Sequence, residues 1–208
     1  MRLKKLEIYG FKTFPEKTTI HFQPGITCIV GPNGCGKSNV VDSILWVMGE
    51  QSTKTLRGEK MEDVIFFGSE SRKTLCLAEV TLTIGDIRGE LPSQYSEYSE
   101  IEITRRLFRS GESEYLINKV HCRLKDIKDI LIDAGIGFKG HSVIEQGRVE
   151  KILTSTPEDR RAIIEDTAGI MKYKFRRTEA LRKLESTQHN LLRVRDIISE
   201  VKRQINSL

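Results

Sequence analysis

Gly31-Pro32-Asn33-Gly34-Cys35-Gly36-Lys37-Ser38 carries glycines one, four and six residues along and ends in Lys-Ser, the pattern G-x-x-x-x-G-K-[ST]. Each residue type has a chemical reason to be there. Glycines let backbone N–H groups turn inward around an anion, and the free donors at the start of a following helix add their dipole to that cradle. Lys37 is then placed to reach the β and γ phosphates, and the Ser38 hydroxyl to hold Mg²⁺. A nucleoside triphosphate with its magnesium ion is the implied ligand, and Pro32, Asn33, Gly34, Cys35, Gly36, Lys37, Ser38 and the following Asn39 are the candidate cradle.

Such a loop works only between a strand and a helix, and both flanks are present. Gly25-Ile26-Thr27-Cys28-Ile29-Val30 reads as a short buried strand, and Val40, Val41, Ile44, Leu45 and Met48 recur at helical spacing. Gly49 fits the helix stop. Before the loop, residues 3–8 and 18–22 read as a first hairpin. After it, residues 50–60 are polar and irregular, residues 64–68 restore a short apolar run, and strands are expected at 75–84, 100–108 and 114–117. The period turns helical from Leu124 through Ile127, Ile130, Leu131 and Ala134. Thr156-Pro157-Glu158-Asp159 opens another helix, with Thr156 as its cap.

The last forty residues hold a heptad seam. Leu184, Leu191, Ile198 and Ile205 fall seven apart, and Thr187, Val194, Val201 and Leu208 form the second series. Charge concentrates here: of the net +5, residues 172–208 supply a surplus of six, which leaves residues 1–171 at about −1. That surplus suits either a polyanionic partner or the solvated face of a long helix. The four cysteines, Cys28, Cys35, Cys76 and Cys122, form no C-x-x-C pair, which predicts reduced thiols without a metal site or disulfide. No apolar run has the length of a membrane span, so a cytoplasmic protein without a membrane partner is expected.

A hydrolysing site of this type needs an apolar strand ending in an acid, and the only near match is Ile130-Leu131-Ile132-Asp133. Leu124 and Ile127 give that stretch helical spacing, so it is rejected. No Gly-Gly pair occurs anywhere, which excludes an L-S-G-G signature loop within these residues. The cradle is present without its catalytic complement.

Gly10-Phe11-Lys12-Thr13-Phe14, the loop Gly31–Ser38 with Asn39, Gly49-Glu50-Gln51-Ser52, Leu56-Arg57-Gly58, Met61-Glu62-Asp63-Val64-Ile65-Phe66, Tyr115-Leu116-Ile117-Asn118, Ile144-Glu145-Gln146-Gly147 and Glu165-Asp166-Thr167-Ala168-Gly169-Ile170 follow one another in this order. In that order and spacing the chain resembles the N-terminal head segment of an SMC (structural maintenance of chromosomes) ATPase of bacterial type. The resemblance implies an α/β fold, the N-terminal lobe of an ABC-type P-loop ATPase with a mixed sheet over residues 1–170, continuing into a coiled-coil arm from residue 171. It implies ATP and Mg²⁺ as cofactors, with Ser38 and Gln146 on the metal and Lys12 and Thr13 near the nucleotide. Arg57 corresponds to an arginine finger that approaches the triphosphate when two heads engage. Implied partners are the C-terminal head lobe of the same protein, which would bring the missing acidic and signature motifs, a second head, a kleisin-type subunit and DNA. Implied function is ATP-driven organisation and segregation of chromosomes, with a nucleoid-associated location.

Cys35 stands where Ser is frequent in that family, and Asp166-Thr167 where Ala-rich sequence is usual. Three other readings remain open at this stage: a DNA-repair ATPase with a zinc hook, a nucleotide-binding switch without hydrolysis, and a small-molecule kinase, which the heptads disfavour. For DNA, Lys60, Arg105, Arg106, Lys119 and Arg123 are the candidate backbone contacts, against the alternative of solvated surface charge.

Overall fold

The computed structural model describes residues 2–86, 95, 98–133, 143–144, 153–167 and 170–207. The chain divides into two compact units, Met1–Val149 and Glu150–Leu208. In the first, alternating apolar residues build one antiparallel sheet of six strands: β1 Arg2–Tyr9, β2 Thr18–His21, β3 Leu77–Gly85, β4 Glu100–Phe108, β5 Ser113–Ile117 and β6 Val120–Cys122. Their spatial order is β2-β1-β3-β4-β5-β6. Register aligns Ile20, Leu6, Leu82, Ile103 and Ile117 in one row across five strands. The next row on the same face is Thr18, Ile8, Val80, Arg105 and Tyr115. Burying a side chain the size of Leu or Ile stabilises by roughly 1.5–3 kcal/mol, so these rows hold the sheet's core face in place. The alternate positions are polar: Thr81 and Thr104 share a hydrogen bond of 2.9 Å, and Arg106 pairs with Glu79 and Glu114.

Helix α1, Lys37–Val47, lies on the core face, where Val40, Trp46 and Val47 join the cluster formed by Leu6, Ile8, Val80 and Leu82. Trp46 meets Phe11 with ring centroids 5.2 Å apart. Arg105 holds the end of this helix. It stands in the core row of β4 at 2% exposure, stacks over Trp46 at 4.7 Å and Tyr115 at 5.2 Å, and donates to the carbonyls of Trp46 and Glu50, each at 2.8 Å. Trp46 O already accepts the Gly49 N–H at 3.1 Å where the helix ends, and the buried guanidinium adds a second, charged donor to it. Burial draws the Arg105 pKa below the ordinary arginine value, against the opposing pull of Tyr115 and Glu50.

Helix α2, Leu124–Asp133, buries Ile127, Ile130 and Leu131 at helical spacing. That confirms the rejection of Ile130–Asp133 as an acidic strand. Two expectations need correction. Residues 25–30 are not a buried strand: Ile26 is fully exposed, because no strand among the described residues pairs with the segment. Val41 faces outward, and the buried side of α1 carries Asp42 and Ser43 instead. Residues 50–60 form turns without a regular element, in line with the expectation, and the short strand β6 has no counterpart among the strands expected from the sequence.

In the second unit, Thr156 caps helix α3, Pro157–Thr167, by accepting from the Asp159 N–H at 3.2 Å. Helix α4 runs unbroken over Ile170–Asn206, 37 residues. Glu165 takes Lys174 and Arg161, and these cations, Lys174 first, hold its carboxyl below the usual range. The seam residues Leu184, Leu191, Val194, Ile198, Val201 and Ile205 are all exposed.

Two stability measurements check this account. Arg105→Ala removes two charge-assisted hydrogen bonds and two ring contacts, and should lower the unfolding free energy by about 3 kcal/mol, read from the urea midpoint. Leu191→Asp should shift it by less than about 0.5 kcal/mol in this chain, since the side chain is 55% exposed.

Candidate functional site

The phosphate loop is held open by glycine geometry. Gly36, the residue before α1, has φ +94°, and a Cβ there would sit 2.7 Å from Thr13 Oγ1. No side chain caps the helix; the Asn39 N–H turns back to Gly36 O at 2.9 Å, and the Lys37 and Ser38 N–H groups are left to an external acceptor. Lys37 folds back over the loop and donates to the carbonyls of Gly31 at 2.7 Å and Pro32 at 2.6 Å. Residues 31–35 and Ser38 are exposed. This donor set fits a polyphosphate: an uncapped helix N-terminus, a lysine bonded only to neutral oxygens and a thiol, and a hydroxyl for a hard cation.

Two further segments close on the first turns of α1. The 10–14 segment pairs with residues 64–66, through Lys12 N–H to Val64 O and Phe66 N–H to Gly10 O, both 2.7 Å. Gly10 is required at this crossing, since a Cβ would fall 2.2 Å from the Leu77 carbonyl. The 50–58 segment is an organised turn. Glu50 Oε1 accepts from the N–H groups of Gln51 and Ser52, Gly58 N–H reaches Thr53 O at 2.9 Å, and Leu56 is buried beneath. Beyond it, Asp63 accepts from the N–H groups of Glu59 and Lys60, each at 2.8 Å, and these bonds hold its carboxyl below the usual range.

Lys12, Thr13, Asn39 and Arg57 meet through these segments. Asn39 donates to Thr13 Oγ1 at 2.9 Å and accepts from Arg57 at 3.1 Å. Arg57 and Lys12 both pair with Asp42 on α1, and Lys12 also donates to Leu56 O at 2.5 Å. Arg57 is thus docked on α1 while its side chain stays half-exposed. Gln146 lies outside the described residues.

Asp42 escaped the sequence reading and Arg105 was read only as a surface contact, yet both left a signal of their buried roles. Asp42 is an acid on the apolar side of a helix. Arg105 occupies an alternate position in a strand whose other alternates, Ile101, Ile103 and Leu107, are all core residues. The same fact removes Arg105 from the DNA candidates, because it is buried. Arg106 is tied to two acids, while Lys60, Lys119 and Arg123 are exposed. The four cysteines are free thiols; burial, with Asp126 second, pushes the Cys122 pKa up to about 11 and leaves that thiol protonated at neutral pH.

Sheet, glycine loop and helix together define the N-terminal lobe of an ABC-type P-loop ATPase head. The chain belongs to the family described as the RecF/RecN/SMC N-terminal domain, which matches residues 2–201. It is 57% identical over 209 residues to the chromosome partition protein Smc of Myxococcus xanthus, and 53% identical over 208 residues to that of Bacillus subtilis. Each alignment covers 100% of this chain and 17% of the relative, so the chain spans about a sixth of those proteins. Among solved structures, a Pyrococcus furiosus Smc head domain with an extended coiled coil, bound to the C-terminal domain of ScpA, is 37% identical with a TM-score of 0.74, over 96% of this chain and 50% of that one. A chain described under ATP-driven dimerization and DNA-stimulated activation of SMC ATPases is 36% identical with a TM-score of 0.70, over 79% of this chain and 98% of its own.

Lys37→Ala should abolish ATP binding measured by calorimetry with the complementary lobe present, since no other lysine lies in the loop. Unchanged affinity would overturn the assignment of the cradle.

Proposed function

We propose that this chain is the ATP-binding N-terminal half of an SMC head, whose engagement with a second head and hydrolysis of ATP drive chromosome organisation and segregation. The carrying observation is the convergence of three segments on one helix start: Lys37 and Ser38 from the loop, Thr13 beside Gly36, and Arg57 on Asn39. In this reading Lys37 exchanges two carbonyl oxygens for the β and γ phosphates, and residues Pro32 to Asn39 line the rest of the cradle, with backbone N–H groups supplied by residues after Pro32. Ser38 and Gln146 would hold Mg²⁺, which would supply positive charge beside the phosphate oxygens. Arg57 supplies a planar fork for phosphate oxygens, which a lysine does not reproduce.

The catalytic acid and the signature loop come from a C-terminal lobe of the same protein. Residues 1–170 form the lobe and residues from 171 begin the arm, whose exposed seam on α4 takes a returning helix. A kleisin-type subunit and DNA complete the assembly. The relatives' names and the Pyrococcus furiosus head bound to ScpA support this placing. Sequence-tolerant contact through exposed Lys60, Lys119 and Arg123 would make DNA affinity fall steeply with salt.

The test is turnover in the assembled protein. Arg57→Ala should spare ATP affinity of a single head and lower DNA-stimulated hydrolysis by about tenfold or more, with Arg57→Lys rescuing little. Gln146→Ala should retain ATP and hydrolyse it slowly. Wild-type stimulation in Arg57→Ala would remove that residue from the reaction, and loss of binding in Gln146→Ala as complete as in Lys37→Ala would merge the roles of loop and metal ligand.

A further inference from the structure

Asp42 is a carboxylate that the chemistry above does not use, and its surroundings exceed what a buried acid needs. Its side chain is 8% exposed, on the α1 face that buries Val40, Ser43, Trp46 and Val47. A buried carboxylate requires a cation, and Lys12 at 13% exposure meets that requirement. A second cation, Arg57, bonds the same oxygen while remaining 52% exposed. One partner satisfies the acid; the other is held by it.

The backbone points the same way. Lys12 and Arg57 have φ of +48° and +56°, left-handed conformations that cost a non-glycine residue about 1–2 kcal/mol each. Such outliers persist where surrounding contacts over-determine them. Here the contacts can be named. Lys12 spans Asp42 and the Leu56 carbonyl, anchoring the residue before Arg57, while Asn39 and Asp42, one helical turn apart, fix the guanidinium itself. Asn39 in turn bonds Thr13, which lies against Gly36 at the floor of the cradle.

We propose that Asp42 is a positioning residue: with Lys12 as its lasting counter-ion, it presents the Arg57 guanidinium alongside the phosphate loop. When Arg57 moves to a phosphate oxygen, Lys12 keeps Asp42 neutralised, so the transfer leaves no unpaired buried charge. The proposal rests on the reading of Arg57 as a group that acts on the triphosphate.

The experiment is a double-mutant cycle in the full-length protein with DNA, using Asp42→Asn, Arg57→Ala and both together. It measures kcat, ATP affinity and hydrogen exchange at the amides of residues 53–58. Asp42→Asn should lower kcat to within about threefold of Arg57→Ala, leave ATP affinity within about threefold of wild type, and speed exchange in 53–58. The double variant should be no slower than Arg57→Ala. A wild-type kcat in Asp42→Asn, or losses that simply multiply in the double variant, would overturn the proposal. If Arg57→Ala alone keeps wild-type kcat, the reading of Arg57 falls instead. Exchange then decides for Asp42, because unchanged protection of 53–58 refutes its hold on the segment and faster exchange supports it. Should Asp42→Asn fail to fold, Asp42→Glu carries the same cycle: its kcat should lie between wild type and Arg57→Ala, and its combination with Arg57→Ala should equal Arg57→Ala.

Discussion

A guanidinium buried in the sheet fixes the helix on which the phosphate loop depends. Arg105 projects from the core face of β4 and takes the carbonyls of Trp46 and Glu50, so the C-terminal end of α1 is fastened to the sheet by the residue that also stacks on Trp46. Glu50 continues the constraint: its backbone is held by Arg105, and its side chain accepts the first N–H groups of the segment that leads to Arg57. The position of the arginine beside the loop is therefore inherited from the sheet. An apolar residue at 105 would fill the same row, but it would leave Trp46 O with the Gly49 N–H alone and take the guanidinium from Glu50 O, loosening the tie between helix end and sheet.

The opposite end of α1 is governed by charge. Asp42 lies on the face that packs, yet it draws in two segments from either side of the helix, residues 10–14 and 50–58. Replacing such a buried pair by well-packed apolar residues is often neutral or better for stability, so a retained ion cluster is weak grounds for a stability role. What the cluster fixes here is relative placement: it brings the only two non-glycine residues before position 80 with left-handed backbones onto one oxygen.

The parts of the fold that were legible in the sequence are those where local chemistry and tertiary position agree. The phosphate loop, the helix after it, the β4 limits and the Thr156 cap all announce themselves through residue type and period. The failures have separate physical causes. Residues 25–30 carry the apolar run of a buried strand, but burial depends on neighbouring strands, and none pairs with it among the described residues. Val41 follows helical spacing equally well on either side, and the packing of Trp46 against Phe11 decided which side turned inward. The 50–58 turn holds no regular element, so its order comes from bonds to Glu50, to Lys12 and through buried Leu56 that no periodicity encodes. Arg57 was legible as an arginine of interest through resemblance alone; its docking site was not.

Binding and turnover then draw on different bonds. The loop meets an incoming triphosphate with neutral acceptors on Lys37, so placing phosphates there replaces two carbonyl bonds by interactions with charged oxygens, which are stronger. Affinity follows from the loop and the helix start, and needs no movement of Arg57. The proposed recruitment of Arg57 is different, since the guanidinium would have to leave a buried carboxylate and the Asn39 amide for the phosphate. That exchange is favourable only when the competing anion is close and shielded from water, because a charge pair weakens as solvent enters between its members. An isolated head leaves the loop open to solvent, and a second head closing over it would exclude that water. On the proposed reading, a second head would lower the effective dielectric around the loop and so strengthen the phosphate's pull on Arg57, while Asp42 keeps the guanidinium within reach until then.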